Sequence, residues 1–167
     1  MKLASIKPKD IALVRNDSLI PMGEKLARES ALPKGCSMLD VIVNYASVND
    51  LLESYAAKIT VTKLDPKMLK APIEKPSKIW ADAANYKRDT GGLDDARGRG
   101  AAGTASAEQL LERIFLKPPS CICGPEENII IPNGADTIFP ELELCVVIGK
   151  ETRNISKERA YEAIFGY

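Results

Sequence analysis

The chain contains no histidine, and this absence excludes a large class of catalytic mechanisms. A mechanism that needs an imidazole base, including a serine or cysteine triad, cannot be run by these 167 residues alone. An excess of one charge is also lacking, because 23 lysines and arginines balance 23 aspartates and glutamates. Without a basic surplus, we predict no nucleic-acid partner.

Long apolar runs are absent too. No stretch of about 18 apolar residues is present to span a bilayer, and the start "MKLASIKPKD" lacks the apolar centre of a signal peptide. These absences predict a cytoplasmic protein with no membrane partner. Four cysteines are present and are not spaced as a zinc site, so we expect free thiols in a reducing compartment. They are Cys36, Cys121, Cys123 and Cys145.

A hydrophobic content of 45% is enough to build a core, and the order of apolar residues predicts both strands and helices. The runs "KLASIKP", "IALVRN" and "SLIPM" predict an N-terminal hairpin or meander. An apolar stripe at helical spacing predicts a helix over residues 38–57, with Ser37 and Asp40 as a capping pair. A strand is expected near "KITVTKL".

Prolines at positions 66, 72 and 76 then interrupt regular structure, and we place a domain boundary at residue 73. The predicted domains are therefore residues 1–73 and 74–167. In the second, "KIWADAANY", "NIIIP" and "ELELCVVIG" read as strands, and a glycine-rich segment between residues 90 and 106 reads as a solvated loop. Capping signals predict short helices over "LLERIF" and "KERAYEAIF", the second ended by Gly166.

Glu141 and Glu143 stand one residue apart at the head of the last predicted strand. Alternation would place both carboxylates on one face, about 7 Å apart, where a hard divalent ion such as Mg²⁺ or Mn²⁺ would compensate their repulsion. The spacing alone favours a plainer alternative, two solvated charges on an edge strand. The other face would be aliphatic and would point into the core; its residues are Leu142, Leu144, Val146 and Ile148.

Several of these elements occur in one characteristic order: Asn-Tyr, "FLKPPS", Gly-Pro, "ELELCVVIGK", and a final helix before Gly-Tyr. In that order they resemble the fumarylacetoacetate hydrolase family, over roughly residues 69 to 167. The first 70 or so residues resemble the N-terminal domain of many bacterial members. The implied fold class is α+β. It is a small N-terminal α/β hairpin-and-helix domain followed by the first part of a mixed β-roll catalytic domain, truncated at its end.

The resemblance implies a homodimeric hydrolase, lyase or isomerase that acts on small 2-oxo acids or β-diketo acids through a metal-stabilised enolate. It makes Glu141 and Glu143 ligands of Mg²⁺, or of Mn²⁺ or Ca²⁺, with a third ligand, an aspartate, expected beyond Tyr167. Lys117, in the "FLKPP" element, would approach a substrate carboxylate as a point charge, or would serve a structural role. The two alternatives stay open.

The sequence also departs from the family pattern. Hydrolytic members place a histidine shortly after Asn-Tyr, followed by a glutamate, whereas Asp89 and Gly92 stand at these positions here. Asp89 is therefore the candidate base. Because the usual base and the third ligand are lacking, activity of this chain is left open. The alternative function is that of a truncated, non-catalytic paralogue that serves as a folding or dimerisation module.

Overall fold

The computed structural model of the protein describes residues 1–57, 62–83, 106, 108, 111–135, 138 and 140–167. The chain divides into two compact units. The first unit combines Met1–Glu74 with Cys123–Tyr167, and the second is Lys75–Ile122. The C-terminal segment that carries the two glutamates thus belongs to the same unit as the N-terminal elements.

Four strands of the first unit form an antiparallel sheet in the order β1-β2-β3-β4. They are β1 (Lys2–Ile6), β2 (Asp10–Arg15), β3 (Ser18–Pro21) and β4 (Thr62–Lys63). Asn16 and Asp17 turn the chain between β2 and β3 with φ angles of 46° and 57°, which two-residue hairpin turns require. The predicted N-terminal meander is confirmed.

Three helices pack against this sheet: α1 (Gly23–Glu29), α2 (Met38–Val43) and α3 (Tyr45–Ala56). The predicted capping pair is confirmed, because the Ser37 hydroxyl accepts from the Asp40 amide at 3.3 Å and the Ser37 amide donates to Asp40 Oδ2 at 2.6 Å. The single helix predicted over 38–57 is wrong. Asn44 interrupts it, and the Asn44 side chain donates to the Asp40 carbonyl at 2.8 Å, an example of competition with the helical backbone.

The core of this unit lies between the sheet and the helices. Alternation along β2 sends Ile11 and Leu13 towards the helices, where they meet Leu26, Val41 and Leu52 in the main cluster. Ala12 points to the opposite face and packs in a smaller cluster. That smaller cluster comprises Ile6, Ala12 and Leu19, with Ala4, Val14, Leu64 and Leu69 against it.

The second unit contains an antiparallel pair, β5 (Ile79–Asp82) and β6 (Ile114–Lys117). The strand predicted around "KIWADAANY" is confirmed in β5. The helix predicted over "LLERIF" is wrong from Ile114 onward, because these β-prone residues pair with β5 instead. Gln109 of the predicted capping box lies outside the described residues, and the Ser106 hydroxyl lies 2.8 Å from Glu108 Oε2.

The C-terminal part of the first unit contains β7 (Val147–Ile148) and β8 (Ile164–Gly166), which pair antiparallel. The strand predicted over "NIIIP" does not form, and only Val147 and Ile148 of the last predicted strand are strand residues. A strand needs a neighbouring strand to accept and donate its backbone hydrogen bonds. Among the described elements, only β8 provides such a partner to these two segments.

The last predicted helix is also only partly right. A 3₁₀-helix spans Lys157–Ala163, and the Ser156 side chain makes no capping hydrogen bond to it. The chain then extends into β8, so Gly166 lies within a strand and does not end a helix. Residues 164–166 thus pair with β7 although the sequence predicted a helix up to Gly166. Tertiary contacts commonly outweigh helix propensity in such a short segment.

Candidate functional site

Residues 140–146, which we call the carboxylate segment, contain Glu141 and Glu143 and lead directly into β7. The hairpin of β7 and β8 is stabilised by its antiparallel strand pairing. A hydrogen bond from the Gly149 amide to the Ala163 carbonyl, at 2.8 Å, adds to this pairing. The carboxylate segment is therefore tethered at its C-terminal end by regular hydrogen bonding.

Two side chains of this hairpin pack on the N-terminal core. Val147 and Phe165 lie against the main cluster, and the Phe165 ring meets the Tyr45 ring edge-on with 4.9 Å between centroids and an angle of 88°. Edge-to-face aromatic pairs at this distance are favourable beyond their burial. The hairpin is thus fixed to the folded N-terminal elements, and it carries the end of the carboxylate segment with it.

Glu141 and Glu143 are both exposed and lie outside regular strand structure. Exposure means that neither carboxylate suffers the desolvation that would demand a compensating cation. Among the described residues, no group of three or more histidine, cysteine, aspartate or glutamate side chains comes together to hold a metal. The structure therefore presents two oxygen-donor side chains, close together in sequence and open to solvent.

The prediction that the opposite face points into the core is wrong. Leu142, Leu144, Val146 and Ile148, which we call the aliphatic row, are exposed by 100%, 65%, 45% and 58%. Val147, whose side chain points to the face opposite the aliphatic row, packs on the N-terminal core instead. No described element covers the aliphatic row, so these side chains stay in contact with water.

Lys117 ends β6 in the second unit and is exposed. Its Nζ lies 5.9 Å from the centroid of the Phe115 ring, at the outer limit of a cation–π contact. An approach of Lys117 to substrate stays a prediction. Asp89 lies outside the described residues, so its predicted role as base also stays a prediction.

Two polar groups of the second unit were missed from the sequence. Within the part of the chain that the structure describes, Asp82 Oδ1 and Arg113 Nη1 are buried atoms that make no hydrogen bond. They lie at adjoining ends of β5 and β6, where the Ala83 amide donates to the Arg113 carbonyl at 3.3 Å. Leaving such an atom unpaired costs about 1–3 kcal/mol. The sequence did contain a signal for these two residues: Asp82 ends the apolar run "IWAD", and Arg113 begins the apolar run "RIFL".

All four cysteines are free thiols, as predicted. Cys36 is buried in the main cluster, whereas Cys121, Cys123 and Cys145 are exposed. Burial, and then the nearby Asp40 and Asp10 carboxylates, raise the pKa of the Cys36 thiol. Cys36 is therefore a structural, protonated thiol and no candidate nucleophile.

None of the helices in the described ranges has the length and apolar content needed to cross a membrane.

Comparison with known proteins identifies the class. The family model "Fumarylacetoacetate (FAA) hydrolase C-terminal" matches residues 78–167, which is more than half of the chain. The chain belongs to the fumarylacetoacetate hydrolase family. The match contains Lys117, Glu141 and Glu143, and it also contains the position of Asp89.

Particular relatives refine this result. The chain is 29% identical over 178 residues to maleylpyruvate hydrolase from Aquipseudomonas alcaligenes, and the match covers 100% of this chain and 59% of that protein. It is 36% identical over 99 residues to the fumarylacetoacetate hydrolase domain-containing protein 2 homolog of Dictyostelium discoideum, covering 59% of this chain and 28% of that one. The chain thus spans less than two thirds of the length of either relative.

Solved structures agree on the fold. Maleylpyruvate hydrolase from Sphingobium sp. SYK-6 superposes with a TM-score of 0.72 at 22% identity, covering 100% of this chain and 56% of that one. A second structure of that enzyme, in complex with manganese(II) and pyruvate, gives a TM-score of 0.69 at the same identity. The mixed α/β character of the fold and its likeness to this family are confirmed. The domain boundary at residue 73 and the truncation stay predictions.

Proposed function

We propose that the chain forms part of a divalent-metal-dependent hydrolase, lyase or isomerase that acts on 2-oxo acids or β-diketo acids. The observation that carries this proposal is the carboxylate segment, because Glu141 and Glu143 are solvent-accessible and lead into a hairpin anchored on the core. Supporting it, the Aquipseudomonas relative is a maleylpyruvate hydrolase, and the Sphingobium enzyme binds manganese(II) and pyruvate, itself a 2-oxo acid.

The donor chemistry of these residues fits a hard divalent ion. Mg²⁺ and Mn²⁺ prefer oxygen ligands, and Mg²⁺ is commonly bound through one or two carboxylates while it keeps several waters. When bound, the ion would act as a Lewis acid towards the oxygens of the substrate. A third carboxylate ligand, an aspartate beyond Tyr167, stays part of the proposal.

The other proposed roles belong to the second unit. Lys117 would attract a substrate carboxylate as a point charge, since the residue is exposed and its ammonium lies 5.9 Å from the centroid of the Phe115 ring. Asp89 would accept the proton of the attacking water in a hydrolytic reaction, in place of the histidine that the chain lacks. Its position after Asn-Tyr in the family match supports this assignment.

Titration with Mn²⁺ tests the metal proposal, with binding followed by the electron paramagnetic resonance of the free ion. We expect the wild-type chain to bind one ion, and Glu141→Gln and Glu143→Gln each to weaken binding roughly tenfold or more, because each removes a charged ligand. Glu151→Gln is the matched control, since Glu151 is another exposed glutamate of the same unit. Equal binding by all four proteins, or only millimolar binding by the wild type, would disprove the proposal.

A second candidate function is a non-catalytic folding or dimerisation module. The exposed aliphatic row favours it, because such a surface is expected to associate. A chain that folds and associates but fails the Mn²⁺ titration would support this second function over the first.

A further inference from the structure

Two of the exposed cysteines, Cys121 and Cys123, stand one residue apart, and the proposed metal site does not involve them. The residue between them, Ile122, is partly buried. Side chains on either side of an extended residue point away from it, to the opposite face of the chain. The alternation of exposure therefore indicates that both thiols lie on the solvent side, where small molecules can reach them.

The distance between the two cysteines is set by the backbone of Ile122. This residue is extended, with φ −76° and ψ 128°, which is close to the polyproline II conformation. That conformation advances the chain by about 3.1 Å per residue, so the Cα atoms of Cys121 and Cys123 lie about 6–7 Å apart. Disulfides usually join Cα atoms roughly 4.4–6.8 Å apart. A bond between the two sulfurs therefore needs at most a small adjustment of the backbone.

Local hydrogen bonds order the chain on both sides of the pair. Before it, a 3₁₀-helix spans Pro119–Cys121, and the Cys121 amide donates to the Pro118 carbonyl at 2.9 Å. After it, the Gly124 amide donates to Glu127 Oε2 at 2.7 Å. Because the backbone is already ordered, less conformational entropy is lost when the two thiols are joined in a ring.

We propose that Cys121 and Cys123 form a redox-active dithiol, which a small disulfide such as oxidised glutathione converts to an intramolecular disulfide. The thiolate of one cysteine attacks a sulfur of glutathione disulfide, and one glutathione thiolate leaves. The thiolate of the other cysteine then attacks the protein sulfur of this mixed disulfide, and the second glutathione leaves. Two protein thiols are thus oxidised to one disulfide, while one glutathione disulfide is reduced to two glutathiones, which take up the two cysteine protons.

The other two cysteines provide internal controls. Cys145 is exposed, so it can form the mixed disulfide, but it has no cysteine beside it in the sequence to carry out the second step. Cys36 is buried in the main cluster and should not react in the folded chain. The same reagent should therefore leave glutathione on Cys145 and an internal disulfide at the pair.

The test is incubation of the fully reduced chain with glutathione disulfide at pH 8, with the products identified by mass spectrometry. Cleavage after glutamate separates Cys145 from the pair, because glutamates at 126, 127, 141 and 143 lie between them. We expect an internal disulfide at the pair in the wild type. In Cys121→Ser and Cys123→Ser, the remaining cysteine of the pair should retain glutathione. Cys145→Ser should form the internal disulfide as the wild type does.

A comparison with the unfolded chain tests whether the ordered backbone contributes. We expect the step from mixed to internal disulfide to be roughly tenfold slower in concentrated urea, because the two thiols are then no longer held in position. Equal rates in the folded and unfolded chains would contradict this part of the proposal. A wild type in which both Cys121 and Cys123 retain glutathione, or in which either is joined to Cys145, would overturn the proposal as a whole.

Discussion

Gly149 is the residue on which the geometry of the β7 and β8 hairpin can be tested most directly. A Cβ atom built on Gly149 would lie 2.8 Å from the Cβ of Phe165 and 3.4 Å from its Cα. Carbon atoms do not approach this closely without a shift of the backbone, and Phe165 is held by the Tyr45 ring and the main cluster. Gly149→Ala should therefore push β7 away from β8.

The size of the effect follows from two opposing contributions. Inserting a methyl group into a packed contact costs about 1–3 kcal/mol. Replacing glycine by alanine removes freedom from the unfolded chain and returns about 0.4–1 kcal/mol. We expect Gly149→Ala to lower the free energy of unfolding by about 1–2 kcal/mol, which shifts a urea midpoint by roughly 0.5–1 M. Urea unfolding followed by far-ultraviolet circular dichroism measures it, at one low protein concentration.

Gly166→Ala is the matched control, because Gly166 lies opposite Val147 in the same strand pair. A Cβ built on Gly166 meets nothing within 4 Å. Neither glycine has the left-handed backbone conformation that alanine would strain, so the two variants differ in available space alone. Gly166→Ala should be neutral or slightly stabilising. Equal destabilisation by both substitutions would refute the reasoning, and so would a neutral Gly149→Ala.

Three further predictions concern the capping box of α2 and the reactivity of the cysteines. Ser37→Ala should cost about 1 kcal/mol in urea unfolding, because it removes the cap of α2, and a Ser37→Ala chain as stable as wild type would contradict this. Hydrogen bonds from Ser37 lower the pKa of Asp40 below its ordinary value of 3.8. Ionised Asp40 therefore stabilises the fold above pH 3.8, and this stabilisation is lost as the pH falls through the lowered pKa. Iodoacetamide at pH 8 should label Cys121, Cys123 and Cys145 well before Cys36, because Cys36 is buried and its pKa is raised. Mass spectrometry of the peptides measures the order of labelling.

Local signals in the sequence predicted the N-terminal fold well. The turn at Asn16 and Asp17 and the capping box at Ser37 each need only neighbouring residues, and the structure contains both. The break at Asn44 was missed because an apolar stripe at helical spacing continues across it. A single side-chain hydrogen bond to the Asp40 carbonyl accompanies the interruption, and periodicity does not register such a contact.

In the C-terminal half of the chain, the sequence predicted secondary structure less well, because strands there depend on partners that are distant in sequence. "NIIIP" and "ELELCVVIG" have the composition of strands, but a strand forms only where another strand satisfies its hydrogen bonds. Capping signals predicted a helix from Lys157 onward, yet the chain after the 3₁₀-helix of Lys157–Ala163 extends, and Ile164 pairs with Ile148. Composition therefore indicates a preference for strand structure, but it does not show whether a partner strand is available. For the same reason it predicted a buried aliphatic face that the structure leaves exposed.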